Sequence, residues 1–177
     1  MKKKIILTVI LIATLFAFSF FIHTRFYDEQ KNILKSYDEI YKTTCGIYEK
    51  GEVKVGLNEI SVDIANNDCK RELGLSGKVS LNDNGMMFVF EDIGNHGFWM
   101  KNMNFPIDIL WINDNFEVVG IEKNIYPDTY PKSFGEKYLA KYVLEIIAGY
   151  SEKNNIKVGD KIIYENCTNK NECQRKL

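Results

Sequence analysis

Histidine is scarce: 177 residues contain only His23 and His96. His23 borders a long apolar run, so one copy of this chain cannot assemble a site that needs two or three His ligands. No Cys-x-x-Cys pair occurs, which argues against thiol exchange and against a zinc clasp. Basic charge is not in excess either. The chain has 23 Lys and Arg against 24 Asp and Glu, a formal net charge of −1, and is more acidic still once Lys2, Lys3 and Lys4 are set aside. Nucleic-acid binding is therefore not expected. Internal repeats and low-complexity tracts are absent, and strands do not alternate with long helices as in a parallel α/β sheet. What is present is the composition of a folded protein, 45% hydrophobic and 27% charged, which excludes a disordered or collagen-like chain. The length suits one domain plus a targeting segment.

That segment is visible. Ile5 to Ile22 carries no charge and follows three lysines, the pattern of an export signal. As a helix it would span about 27 Å, close to a hydrocarbon core of about 30 Å. Both an uncleaved anchor and a cleaved signal fit: Ala17-Phe18-Ser19 offers small residues to a signal peptidase, and Phe20 and Phe21 follow. No cysteine stands near the end of the run, which argues against a lipid anchor. The lysines place the N-terminus inside and the rest outside. Phe26, Ile33, Tyr37 and Ile40 then recur at helical spacing, with Asp38 and Lys42 as an i,i+4 pair, which predicts a helical stalk. The stripe is too short for strong self-association, so a monomer is expected. The resulting division is 1–24 signal or anchor, 25–50 stalk, 51–165 folded domain and 166–177 polar tail.

All four cysteines lie beyond the apolar run, where an oxidising compartment favours disulfides. Cys45 and Cys69 flank the first hairpin, and Cys167 and Cys173 share the polar tail, so the expected pairs are Cys45–Cys69 and Cys167–Cys173.

Within the domain, Glu52–Val55 and Glu59–Ala65 alternate around Gly56-Leu57-Asn58 and predict a hairpin. Asn66-Asn67-Asp68 offers caps for a short helix from Asp68 to about Leu75, with Gly74 or Gly77 closing it. Further strands are expected at Gly85–Phe90, His96–Met100, Pro106–Ile112, Phe116–Ile121, Tyr142–Ala148 and Lys161–Tyr164, with one helical turn at Gly149–Asn154. The longest irregular stretch is the loop 124–137, of the size that often serves function. The expected fold class is α+β, mainly β: an antiparallel barrel-like or two-layer β domain with two short helices, behind an N-terminal membrane helix.

From Phe98 to Leu110 the chain reads Phe-Trp-Met-Lys-Asn-Met-Asn-Phe-Pro-Ile-Asp-Ile-Leu. With Gly85-Met86-Met87-Phe88, Gly74-Leu75, Tyr142-Val143-Leu144-Glu145 and Val158-Gly159-Asp160 in order, it resembles the domain of unknown function 192 family over about residues 52–165. Lys78 stands where that family usually has arginine. The resemblance implies a β-rich fold and frequent export, and supplies no reaction, because the family is biochemically uncharacterised.

Two carboxylates stand out because strand side chains alternate between faces. Asp108 shares a face with Leu110 and Ile112, and Glu145 shares one with Val143 and Ile147. An isolated charge there is costly unless paired. Lys101 is the partner expected for one of them, with His96 and Asn102 nearby. Three readings compete for this cluster. It is a salt-bridge network fixing strand register, or a binding cleft with Trp99 as a platform for a sugar or other ring, or a hydrolytic site with Asp108 and Glu145 as an acid–base pair. The functional expectation is a non-enzymatic accessory domain, tethered outside the cytoplasmic membrane and binding a small molecule or envelope partner through His96, Trp99, Lys101, Asn102, Asp108 and Glu145. The alternatives are an envelope glycan hydrolase and a purely structural interaction module. No metal and no cofactor are expected.

Overall fold

The alternating sequence Val53-Lys54-Val55 and Ile60-Ser61-Val62 folds as read: β1 (Glu49–Val55) and β2 (Asn58–Ala65) form a hairpin in which Val53 opposes Ile60. The computed structural model describes residues 14–33, 35, 45–81, 84–169 and 172–176, with side chains to residue 165. The chain divides into two units, Met1–Tyr41 and Lys42–Leu177. In the first, a helix α1 is described over 14–33, and Phe26 and Ile33 of the expected stripe are exposed on it. Tyr37, Ile40 and the Asp38–Lys42 pair lie outside the described residues, as does the start of the apolar run. Among the described residues no helix is long and apolar enough to cross a membrane.

The second unit is mainly β. After the hairpin come α2 (Asp68–Leu73), β3 (Gly85–Asn95), β4 (Phe98–Trp99), β5 (Ile107–Ile112), β6 (Val118–Ile125), β7 (Ser133–Phe134), β8 (Leu139–Ile147), α3 (Tyr150–Lys153), β9 (Ile162–Asn169) and β10 (Glu172–Lys176). Eight strands form one curled sheet in the order β10-β9-β1-β2-β3-β8-β5-β6, while β4 and β7 pair separately. A half-barrel results: the bridge Glu117–Lys161 and the bonds from Val118 N–H to Asp160 and from Ile162 N–H to Phe116 draw the β5–β6 corner onto the start of β9.

One expectation is corrected. The sheet is not wholly antiparallel, because β2 and β3 run parallel, with α2 in the crossover between them. Parallel neighbours require such a crossover, and α2 is short but well stopped. The Asn67 side chain accepts from Lys70 N–H at 2.9 Å, and Gly74 ends the helix at φ +52°, a conformation that favours glycine.

Both sheet faces are covered. One carries Val53, Ile60, Val62, Leu110, Leu144 and Tyr164, and the other Phe88, Ile107, Ile109, Trp111, Val143 and, beyond the sheet, Leu75 and Met100. β5 is consequently buried at every position. The Cys45–Cys69 disulfide ties the start of this unit to α2. Cys167 and Cys173 are direct partners across the β9–β10 ladder, and their side chains lie outside the described residues.

Candidate functional site

The loop 124–137 shapes the site. Its residues Ser133 and Phe134 form β7, pairing with Trp99 and Phe98 of β4, and this fixes the backbone of both aromatics. Phe98 points inward, meeting Phe88 edge-on at 4.8 Å and Trp111 at 6.1 Å. Trp99 points outward, 54% exposed, its ring 6.1 Å from Tyr130. Beneath β4, Trp111 donates from Nε1 to the His96 carbonyl at 2.8 Å.

Between β4 and the C-terminal end of α2 lies a cleft of about 370 Å³. Its walls are Leu73 to Ser76, Phe88, Phe90, Phe98, Trp99 and Met103, with Arg71 and Glu72 among the lining residues from α2. His96 lies flat on Phe90, with ring centres 3.5 Å apart. The Arg71 guanidinium stands 5.2 Å from the centre of the Phe90 ring and donates to Asp68 at 2.5 Å and to the Val89 carbonyl at 2.8 Å.

Glu145 also lines this cleft. Its side chain leaves β8 on the face of Ile107 and Ile109, only 4% of the residue is exposed, and Oε2 has no hydrogen-bond partner. Burial alone pushes its pKa up to about 8, so the carboxyl is largely protonated at neutral pH. Buried His96 Nε2 likewise lacks a partner. Burial lowers the imidazole pKa, outweighing the backbone groups of Asp92 and Ala140 that favour the charged ring. Buried Glu145 and half-buried His96 thus line one aromatic cleft, each with one polar atom that has no hydrogen-bond partner.

The residues singled out from sequence do not form one cluster. Asp108 is opposite Ile146 and Glu145 is opposite Ile109 in the β5–β8 ladder. The two carboxylates therefore point to opposite faces of the sheet, and an acid–base pair across one groove cannot form. The expected Lys101 partnership is also corrected. Asp108 accepts instead from the N–H groups of Asn124 (2.8 Å), Gly149 (3.1 Å) and Ser151 (3.0 Å) and from Ser151 Oγ (2.5 Å). It pins the start of α3 and the end of β6. Lys101 is exposed, with its ammonium 5.6 Å from the Trp99 ring. Asn102 occupies a turn at φ +57°, its carbonyl accepting from Gly77 N–H. His96, Trp99 and Glu145 do share the cleft. Arg71 and Phe90 join the site although no sequence motif marks them as site residues; the available signal is Arg71 three residues after Asp68, an i,i+3 pair on a short helix. Among the described residues no group of three His, Cys, Asp or Glu could hold a metal ion.

Comparison with known proteins bears on the family and the fold. The model of the family DUF192, described as "Uncharacterized ACR", matches residues 49–164. No curated protein matches. Two crystal structures are similar. A protein from Sinorhizobium meliloti 1021, provisionally named a transcription regulator, is 26% identical over 66% of this chain and 94% of its own, with a TM-score of 0.60. A protein of unknown function from Novosphingobium aromaticivorans DSM 12444 is 25% identical over 67% of this chain and 86% of its own, with a TM-score of 0.57.

Proposed function

The chain belongs to the DUF192 family, whose activity is uncharacterised, and from that premise we propose that this member is a non-enzymatic binding domain that takes a small molecule into the cleft between α2 and β4. The observation that carries this reading is Glu145, a residue that lines an open cleft and has one carboxyl oxygen buried without a partner. Such a group is costly in an apolar site, and a ligand that completes its hydrogen bond recovers that cost. Aromatic walls with few polar groups are the usual make-up of a small-molecule site. Trp99 at the mouth offers a stacking surface. A concave site also favours this reading over a flat interaction module.

Work outside the cytoplasm, on a membrane tether, belongs to the same proposal. The Cys45–Cys69 disulfide and the lysine-flanked apolar run support it.

The test is saturation-transfer NMR on the full chain with a set of small ring compounds, indole and monosaccharides among them. Ring compounds that receive saturation from the protein, and stop doing so in Trp99→Ala while near-UV circular dichroism keeps its native form, support the proposal. Transfer unchanged by Trp99→Ala, or no transfer at all, refutes it.

A further inference from the structure

The polar atoms of the cleft also narrow the chemistry of its occupant. This step rests on the binding reading above. We propose that the occupant is an uncharged, hydroxylated ring, a neutral sugar unit in size and character, which stacks on Trp99 and hydrogen-bonds to the carboxyl group of Glu145.

Three observations carry this. First, the two buried side-chain atoms without partners, Glu145 Oε2 and His96 Nε2, belong to residues that line the same cleft. An acid in its neutral form supplies a donor. A hydroxyl group both donates and accepts, so a polyol ring completes the hydrogen bonding of a carboxyl group in either direction.

Second, among the described residues charge is balanced or already engaged along the walls of the cleft, and exposed Lys101 stands outside them at the Trp99 ring. Arg71 and Glu72 are the charged groups lining it from α2. Arg71 is held by Asp68 and by the Val89 carbonyl, and neither Arg71 nor Glu72 contributes to the raised pKa of Glu145, whose only cause is burial. β3 lines the cleft with Phe88, Phe90 and Asn95, and β4 with Phe98 and Trp99, none of them charged. An ammonium ligand would have to ionise Glu145 in a place where burial opposes it. An anion would meet a carboxyl group on a wall whose lining cation, Arg71, is already engaged.

Third, the walls suit a ring with C–H faces. Trp99 presents a half-exposed indole at the mouth, with Tyr130 beside it. A cavity of about 370 Å³ lies at the small end of ligand pockets.

Isothermal titration of the full chain in detergent micelles at pH 7 tests the proposal, using N-acetylglucosamine and methyl glucoside as uncharged probes and glucosamine and glucuronate as charged counterparts. The uncharged sugars are expected to bind at least about tenfold more tightly than the charged ones. Glu145→Gln, which keeps a neutral donor, is expected to retain affinity within about threefold, and Glu145→Leu to lose about tenfold or more. Circular dichroism confirms the fold of each variant, and Trp99→Ala, altered at an exposed position, gives an independent loss at the same site. Tighter binding of glucosamine, abolished by Glu145→Gln, overturns the proposal, since Glu145 then acts as a carboxylate. Sugar binding unchanged in Glu145→Leu overturns it as well. Sugars failing while indole still depends on Trp99 overturns the ligand class and leaves the cleft as a binding site. Failure of every ring compound overturns both.

Discussion

Asp108 and Glu145 lie on adjacent strands, one ladder position apart, and project from opposite faces of the same sheet. That relationship separates their roles. Asp108 is fully buried and has four donors aimed at it, whereas Glu145 is buried with an oxygen that nothing meets.

Asp108 is therefore a stability residue. Asp108→Ala leaves the N–H groups of Asn124, Gly149 and Ser151 without their acceptor. Because each unmet buried donor costs about 1–3 kcal/mol, the loss is expected to reach about 3 kcal/mol or more in urea denaturation. Ser151→Ala removes one donor and is expected to cost about 1 kcal/mol. Neither substitution alters the walls of the cleft.

Glu145 makes stability depend on pH, with a definite sign. Its folded pKa, about 8, lies above the ordinary value of 4.5. Between those values the native state holds a proton that the unfolded state has released, so stability falls as pH rises through the window and levels off above about 8. Glu145→Gln removes the dependence. The variant is expected to match the parent near pH 4.5 and to gain on it by a few kcal/mol, in order of magnitude, by pH 8 to 9. Denaturation curves at several pH values check this; a constant difference between the two proteins contradicts it.

Gly135 faces the Trp111 ring at φ +86°, and an added Cβ would fall within that ring. Gly135→Ala is expected to cost about 3 kcal/mol or more through overpacking and backbone strain. It also displaces β7, and with it the Trp99 backbone. Near-UV circular dichroism of Trp111 and thermal unfolding report the effect.

The Cys45–Cys69 bond closes a loop of 24 residues in sequence separation. Cys69→Ser is expected to lower stability by about 3 kcal/mol through the freed unfolded chain. Urea denaturation of the oxidised parent and the variant, with thiol counts, measures it.

What sequence reveals of this fold is local. The β1–β2 hairpin follows from alternation around Gly56, and the α2 start follows from Asn67. The charges at Asp108 and Glu145 are conspicuous because Leu110 and Ile112, and Val143 and Ile147, surround them in sequence. Whether those two carboxylates meet depends on strand register, and register is a long-range property. Ile109 opposes Glu145 across 36 positions, and no local pattern encodes that pairing. The parallel β2–β3 contact was hidden for the same reason. β6 begins at Val118, later than alternation indicates, because the Asn113 side chain accepts from the N–H groups of Asn115 and Glu117 and Phe116 takes φ +56° in the turn. The cleft joins α2 to β4, elements 25 residues or more apart, so His96 and Arg71 become neighbours only through the stack on Phe90.

The most direct measurement follows the Glu145 carboxyl carbon by NMR in the full chain labelled at glutamate Cδ, with Glu145→Gln for assignment. The expected titration midpoint is about 8, and N-acetylglucosamine should move both the resonance and the midpoint, the latter upward, because the sugar meets the protonated acid. A midpoint near the ordinary 4.5 that ignores the sugar would contradict the role given to Glu145 and to the cleft it lines.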